Sequence, residues 1–446
     1  MNSKKLSWSE ILTIGLMLFA LFLGAGNMIF PPFLGQEAGT NVWIAIIGFL
    51  LTGVGLPLLG VIAIAKSGGD LQSLGTRVHP LFGIVFTIVV YLAIGPLFGI
   101  PRTGTVAYEI GVTPFLNESV LSSKFPLFFF TIIFFSITAW LSMNPSKLVD
   151  RIGKLLTPAL LIILTILVTK SIMFPMGSFQ VPAVDYQTEP LFKGFLEGYL
   201  TMDTIGALVF GIVVINSIKS KGVTSPSAVT KICTIAGLIA ATGLSLVYLA
   251  LSFMGATATE AIGVQENGGA ILTAVANYLY GSLGAIILAL AITFACLTTS
   301  VGLVSSCAQY FKKIMPKVSY PLFVIVLSLF SMVIANVGLT QLIQISIPIL
   351  IMIYPVAIML ILLSFIHNAF QGYRAVYIGS LLPTFIISFI DGLKTAGVNV
   401  TAIADAFTIL PLFEQGVGWF IPAIIGAIIG YGIAILSGES KKLVKA

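Results

Sequence analysis

Residues 22 to 32 read Phe22-Leu23-Gly24-Ala25-Gly26-Asn27-Met28-Ile29-Phe30-Pro31-Pro32, in the middle of the first long apolar run of the chain. A glycine inside a helix costs about 1 kcal/mol and a proline roughly 3, so this run predicts an unwound stretch between two half-helices. Irregular backbone at membrane depth is tolerated only where it is buried in protein or lines a cavity. A second polar interruption, Thr201-Met202-Asp203-Thr204-Ile205-Gly206, follows about five apolar segments later. Discontinuous spans in corresponding halves hold substrate and coupling ions in secondary transporters, so a site is expected between these two interruptions.

Hydrophobic residues make up 58% of the 446, charged residues only 9%, and the mean hydropathy is +1.09, which places the chain among integral membrane proteins. The net charge of +6 does not indicate nucleic acid, because the basic residues stand singly between apolar spans rather than on one basic face. Cys233, Cys296 and Cys307 lie in or beside apolar spans without metal-type spacing, and His79 and His367 are too far apart to suggest a metal centre. No paired acids or nucleophile with a base point to an enzyme, and no cofactor is implied. Lys4-Lys5 and the apolar run behind them resemble a signal peptide, but that run, about 20 residues, exceeds an h-region of about 7 to 15 and is read as the first span.

Stretches long enough to cross a core of about 30 Å fall near residues 11–36, 42–65, 81–108, 125–142, 155–174 and 192–218. A second set falls near 229–253, 282–310, 320–335, 341–365, 375–390 and 417–437. The expected class is an all-α membrane protein of twelve spans. The segment from Gly255 to Gly281, with Glu260, Glu266 and Asn267, is read as an external loop carrying at most a short surface helix. With both termini cytoplasmic, 17 of the 22 basic residues fall inside, leaving Arg102, Lys124, Lys170, Lys193 and Lys394 elsewhere, as the positive-inside rule requires. The interruptions sit in spans 1 and 6, so the repeat unit is five helices. An odd-numbered unit inverts in the membrane, giving repeat 1 at about 8–175, repeat 2 at about 190–366, and two appended helices at about 374–437.

At the first interruption Gly24, Ala25 and Gly26 free backbone amides, and Asn27 opens the outer half-helix. Several amides and about half a positive charge converge there, which suits the carboxylate of an amino acid; small-residue helix packing is the competing explanation. Asp203, flanked by Thr201 and Gly206, is an acid at mid-membrane that needs compensation. Contact with the substrate ammonium, proton coupling and N-capping of the outgoing half-helix are all open to it. In span 8, Ala295, Thr298 and Thr299 present a carbonyl and two hydroxyls on one helical face, hard oxygens that fit an alkali cation if they do not simply bond back to the preceding turn. Tyr91 and Phe98 in span 3 suit core packing or an apolar wall for the substrate, and Arg102 near the outer end is expected to pair with Glu37 or Glu109 as a gate.

At these residues the chain resembles the BrnQ-type branched-chain amino acid:cation symporters of bacteria, within the amino acid-polyamine-organocation superfamily. The motifs are GAGNMIFPPFLGQEAG at 24–39, GPLFGIPRTGTV at 95–106 and GYLTMDTIGALVFG at 198–211, and the resemblance extends over nearly the whole chain. It implies uptake of leucine, isoleucine and valine through the cell membrane by alternating access, driven by a sodium or proton gradient, in a five-plus-five LeuT-like fold. The two interruptions and the span-3 wall make Gly24, Ala25, Gly26, Asn27, Phe98, Thr201, Asp203 and Gly206 the candidate substrate site, and the resemblance implies a sodium site at Ala20, Leu23, Ala295, Thr298 and Thr299. Some relatives hold a second sodium with an Asn on helix 7, and residues 229–253 contain none. Others replace the ion with a Lys on helix 5, where this chain has Lys154 and Lys170 only near the helix ends. A carrier of another small neutral amino acid and a substrate-gated channel are the alternatives.

Overall fold

A computed structural model of the chain describes residues 6–121, 123–143 and 157–438. Every regular element among them is helical. The basic residues Lys4, Lys5, Lys147, Arg151, Lys154, Lys441, Lys442 and Lys445, which enter the orientation argument, lie outside the described residues.

Helix α1 (Trp8–Phe22) starts at a capping box: Ser7 N donates to Glu10 Oε2 at 2.8 Å and Glu10 N donates to Ser7 Oγ at 3.3 Å. This fixes the chain's entry before the apolar run. The helical backbone stops at Leu23 (φ −68°, ψ 78°) and Gly24 (φ −118°, ψ −156°), and α2 (Ala25–Ala38) begins. The unwound stretch is therefore shorter than the sequence suggests. Pro31 and Pro32 sit inside α2, and Ser252 Oγ donates to the Pro31 carbonyl at 2.9 Å, tying α2 to the neighbouring helix.

The next helices run α3 (Val42–Leu50), α4 (Leu56–Lys66), α5 (Leu71–Thr76), α6 (Pro80–Leu92) and α7 (Gly99–Gly111). A π turn at Leu51–Gly55 joins α3 to α4, and another at Ala93–Leu97, containing Gly95 and Pro96, joins α6 to α7. After α8 (Phe125–Ser142) and α9 (Thr157–Met173), α10 (Pro190–Glu197) ends in a 3₁₀ turn. Met202 then takes a left-handed conformation (φ 63°, ψ 10°) before α11 (Asp203–Ser220). A non-glycine residue adopts that region only when its surroundings enforce it. The longer helices that follow are α12 (Pro226–Ile262), α13 (Gly268–Ile314), α14 (Tyr320–Ala335), α15 (Leu339–Phe365), α16 (Arg374–Thr395) and α17 (Phe420–Leu436), with a short helix at Thr401–Phe407 before the last.

The expected loop from Gly255 to Gly281 is almost entirely helix. α12 continues to Ile262, and α13 starts at Gly268 under an Asn267 cap (Ala270 N to Asn267 Oδ1, 3.0 Å) and bends at Gly281 (φ 62°). Of the polar residues that suggested a loop, Glu260 lies within α12, while Glu266 and Asn267 fall in the short connection between α12 and α13. Among the described residues, eight helical segments are long and apolar enough to cross a membrane, and four shorter apolar helices accompany them.

The two interrupted helices are held in parallel ways. α1 and α2 pack on α12, while α10 and α11 pack on α3 and α4. Each contact is closed by a pair of glycines. A Cβ at Gly35 would lie 2.0 Å from the Ser252 carbonyl oxygen and one at Gly255 1.9 Å from that of Pro32; one at Gly48 would lie 2.0 Å from the Leu191 oxygen and one at Gly194 1.9 Å from that of Ala45. Small residues let helix backbones meet in this way. At one end of the bundle Asp70 caps α5 through Ser73 N (2.7 Å) and pairs with Lys313 Nζ of α13 (2.5 Å). Burial pushes the Asp70 carboxyl up, but the Lys313 and Ser73 hydrogen bonds outweigh it and hold the group below its ordinary value.

Candidate functional site

The two interruptions meet at the centre of the bundle. Asn27, in the first turn of α2, turns its side chain both ways: Oδ1 accepts from Gly24 N at 3.0 Å, and Nδ2 donates to Asp203 Oδ2 at the start of α11. Tyr248 of α12 also donates to Asp203 Oδ2, at 2.8 Å, and lies within hydrogen-bonding distance of Asn27 Nδ2. Asp203 is 5% exposed and Asn27 2%. The α11 cap position belongs to Met202, and the Asp203 carboxylate faces α2 and α12 instead of the amides of its own helix, so it is not the N-cap. Thr201 Oγ1 accepts from Asp203 N at 3.3 Å and donates to the Gly198 carbonyl at 2.9 Å.

A small cavity lies against this cluster. Gly24, Ala25, Gly26 and Asn27 line it from the first interruption, and Thr201, Met202, Asp203 and Gly206 from the second. Leu21, Phe22, Ile94, Phe210 and Leu303 form an apolar wall, with Phe22 and Phe210 edge to face at 6.0 Å. Of the residues expected for substrate, Phe98 alone stands outside this lining; it is buried at the π turn before α7. Tyr91 stacks on Tyr310 at 4.2 Å, a packing role.

Arg102 and Thr103 of α7 also line the cavity. Arg102 is not paired with Glu37 or Glu109. Its Nη1 donates to the Leu200 carbonyl at 2.5 Å and its Nη2 to Ser346 Oγ of α15 at 2.8 Å. The π turn at Ala93–Leu97 inserts an extra residue and resets the register of α7, carrying Arg102 to the second interruption.

Next to the first interruption, Gly24 N turns to the Phe22 carbonyl (2.6 Å) and to Asn27, not to the Ala20 carbonyl four residues back. Leu23 leaves the helix beside it. On α13, Thr298 Oγ1 donates to the Ala295 carbonyl at 2.8 Å, the back-bond that competes with an ion role. Thr299 Oγ1 is buried without a partner, and a Cβ at Gly24 would lie 2.6 Å from it. Of the five residues expected for sodium, Thr299 is the one that reaches the cavity.

Tyr248 has no pattern in the sequence to distinguish it, because a lone tyrosine in an apolar helix is equally suited to core packing. Arg102 carried a signal, a charge inside a span, but its depth depends on the π turn.

The all-helical bundle shares its fold with solved transporters of the LeuT-like and nucleobase-cation-symport-1 type. The chain superposes on Mhp1, a nucleobase-cation-symport-1 family transporter in a closed conformation with bromovinylhydantoin bound, with TM-score 0.61 at 16% identity, covering 96% of this chain and 93% of that one. It superposes on MhsT in complex with L-phenylalanine with TM-score 0.57 at 15% identity, covering 98% and 100%. The chain belongs to the family described as branched-chain amino acid transport protein, whose model matches residues 7–437. It is 54% identical over 436 residues to the branched-chain amino acid permease BraB of Bacillus subtilis (strain 168), covering 97% of both chains. It is 42% identical over 416 residues to the branched-chain amino acid permease BrnQ of Escherichia coli (strain K12), covering 93% of both. The family is one of transport proteins, not enzymes.

Proposed function

We propose that this chain is a secondary symporter that imports leucine, isoleucine and valine across the bacterial cytoplasmic membrane by alternating access. The observation that carries the proposal is the junction of Asn27 with Asp203, which sets a polar floor under an apolar-walled cavity where the two interruptions meet. Polar groups at one end and aliphatic and aromatic groups at the other match a zwitterion with a branched hydrocarbon side chain. Relatives at 42 to 54% identity are named branched-chain amino acid permeases. In this reading the chain crosses the membrane twelve times with both termini cytoplasmic. The parallel packing of α1 and α2 on α12 and of α10 and α11 on α3 and α4 supports the inverted five-helix repeat, with α16 and α17 appended.

The coupling ion is cargo. For sodium, the carbonyls of Ala20, Leu23 and Ala295 and the hydroxyls of Thr298 and Thr299 offer five oxygens of the hard type that alkali ions take. The unpartnered Thr299 hydroxyl and the diversion of Gly24 N from the Ala20 carbonyl support that set, and the Thr298 back-bond still leaves its oxygen lone pairs free. Proton coupling is the second reading, favoured by Asp203 as the acid within the cavity.

The test is uptake of labelled leucine into proteoliposomes under separately imposed sodium and proton gradients, with counterflow against trapped label to separate a carrier from a channel. Under sodium coupling, sodium tightens leucine binding by the same factor that leucine tightens sodium binding, and Thr298→Ala with Thr299→Ala erases both effects. A leucine affinity that ignores sodium and follows pH would transfer coupling to Asp203.

A further inference from the structure

Arg102 is 2% exposed, and among the described residues no carboxylate lies within 4.0 Å of its guanidinium. Its polar contacts are neutral: the Leu200 carbonyl and the Ser346 hydroxyl, with the Phe30 ring 5.4 Å from Cζ. Nε has no partner. A guanidinium carries five N–H donors and keeps its charge at any working pH, so these contacts satisfy some donors and none of the charge. A buried cation without a counter-ion is expensive, and inside a membrane span such a charge marks function.

The counter-charge in the cavity is Asp203, which lines it together with Arg102 without forming an ion pair. Asp203 is anchored on Asn27 and Tyr248, and Asn27 belongs to the first turn of α2. Whenever Asp203 is ionised, a negative charge stands at the positive end of α2. A substrate carboxylate brought to the amides of Ala25 and Gly26 would lie beside a like charge, whereas on Arg102 it would meet a cation that lacks its anion. The free Nε and an adjacent Nη hydrogen form the fork that takes a carboxylate through two bonds.

We propose that Arg102 is the specificity-determining residue for the substrate carboxylate and that Asp203 receives the ammonium, so that a free α-amino acid completes two opposite charges the protein leaves apart. This rests on the amino-acid reading of the cavity and moves the carboxylate from the α2 amides to the guanidinium. Because Arg102 also holds the Leu200 carbonyl at the second interruption and Ser346 on α15, occupancy of the guanidinium bears directly on both elements.

The experiment measures binding of leucine and of leucinamide, which keeps the ammonium and side chain but lacks the carboxylate, to the purified full-length protein by calorimetry. The native protein should prefer leucine by about 100-fold or more, the scale of a lost partner in a desolvated charge pair. Arg102→Gln should weaken leucine by about 100-fold and leave leucinamide within about threefold, collapsing the preference. Arg102→Lys, which keeps the charge but not the fork, should bring the preference to an intermediate value and carries the same comparison if the glutamine variant does not fold. An unchanged ratio of the two affinities in either variant, or an equal loss of both ligands, overturns the assignment and leaves the amino-acid site standing. Failure of the native protein to bind leucine at any sodium concentration or pH overturns the site reading and this assignment with it.

Discussion

A Cβ at Gly26 would lie 3.2 Å from both the Cα and the carbonyl oxygen of Thr201, and 3.4 Å from the Phe30 ring, so the two interruptions touch through a missing side chain. Gly26→Leu should therefore abolish leucine binding. The overpacking costs about 1 to 3 kcal/mol, which the purified variant should show as a lowered thermal midpoint without loss of helix content. Asp203→Asn separates two roles. Asparagine caps a helix as well as aspartate, so a capping role would make the change silent, whereas a carboxylate held by Tyr248 and Asn27 toward the cavity predicts at least a tenfold loss of leucine affinity. Near-normal binding in that variant would remove Asp203 from the site. Both positions were legible in the sequence because each breaks a rule of apolar spans, one by lacking a side chain and one by carrying a charge. Tyr248 breaks no such rule, and only tertiary packing brings its hydroxyl to Asp203.

Between elements, the glycine pairs decide what can be changed. Gly194→Leu would drive a side chain into the Ala45 carbonyl, which as backbone of α3 cannot turn aside, so the variant should express poorly and lose its folded state at a lower temperature than the native protein. Gly432→Leu on α17 meets nothing within 4 Å and serves as the control, expected to be unchanged. The Asp70 to Lys313 pair joins the α5 cap to the end of α13. Since the folded Asp70 carboxyl titrates below its ordinary 3.8, its contribution is complete above that value and is lost only as pH falls through the lower, folded one. Asp70→Asn should accordingly leave the shape of the uptake profile between about pH 5.5 and 8 unaltered, and any response in that interval belongs to another group. Helix existence was readable from apolar runs, but helix ends were not. Glu260 and Glu266 suggested a loop because charge usually ends a span, yet α12 runs through Glu260 to Ile262, with Gly255 already packed on α2. The π turn before α7 was invisible for a related reason: an inserted residue alters register without altering composition.

For the molecule as a whole, the proposed orientation assigns Lys317, after α13, to the cytoplasm and Val264, between α12 and α13, to the outside. Cys233, Cys296 and Cys307 are buried free thiols, so single cysteines at these two positions can be labelled against a quiet background. An impermeant maleimide added to intact cells should modify Val264→Cys and spare Lys317→Cys until the membrane is opened; the reverse pattern would invert the topology. The balance of Arg102 and Asp203 has an electrical consequence. With sodium as the coupling ion and Asp203 ionised, Arg102 and Asp203 make the cavity neutral, and a zwitterion bound between them adds no net charge. Under the proposed symport, the only charge displaced through the membrane field in each cycle is that of the accompanying cation. One elementary charge falling through 100 mV supplies about 2.3 kcal/mol, enough to concentrate leucine roughly 50-fold from voltage alone, before any ion gradient is counted. A potassium diffusion potential imposed on proteoliposomes, interior negative, should therefore drive uptake by itself, with one charge entering for each leucine.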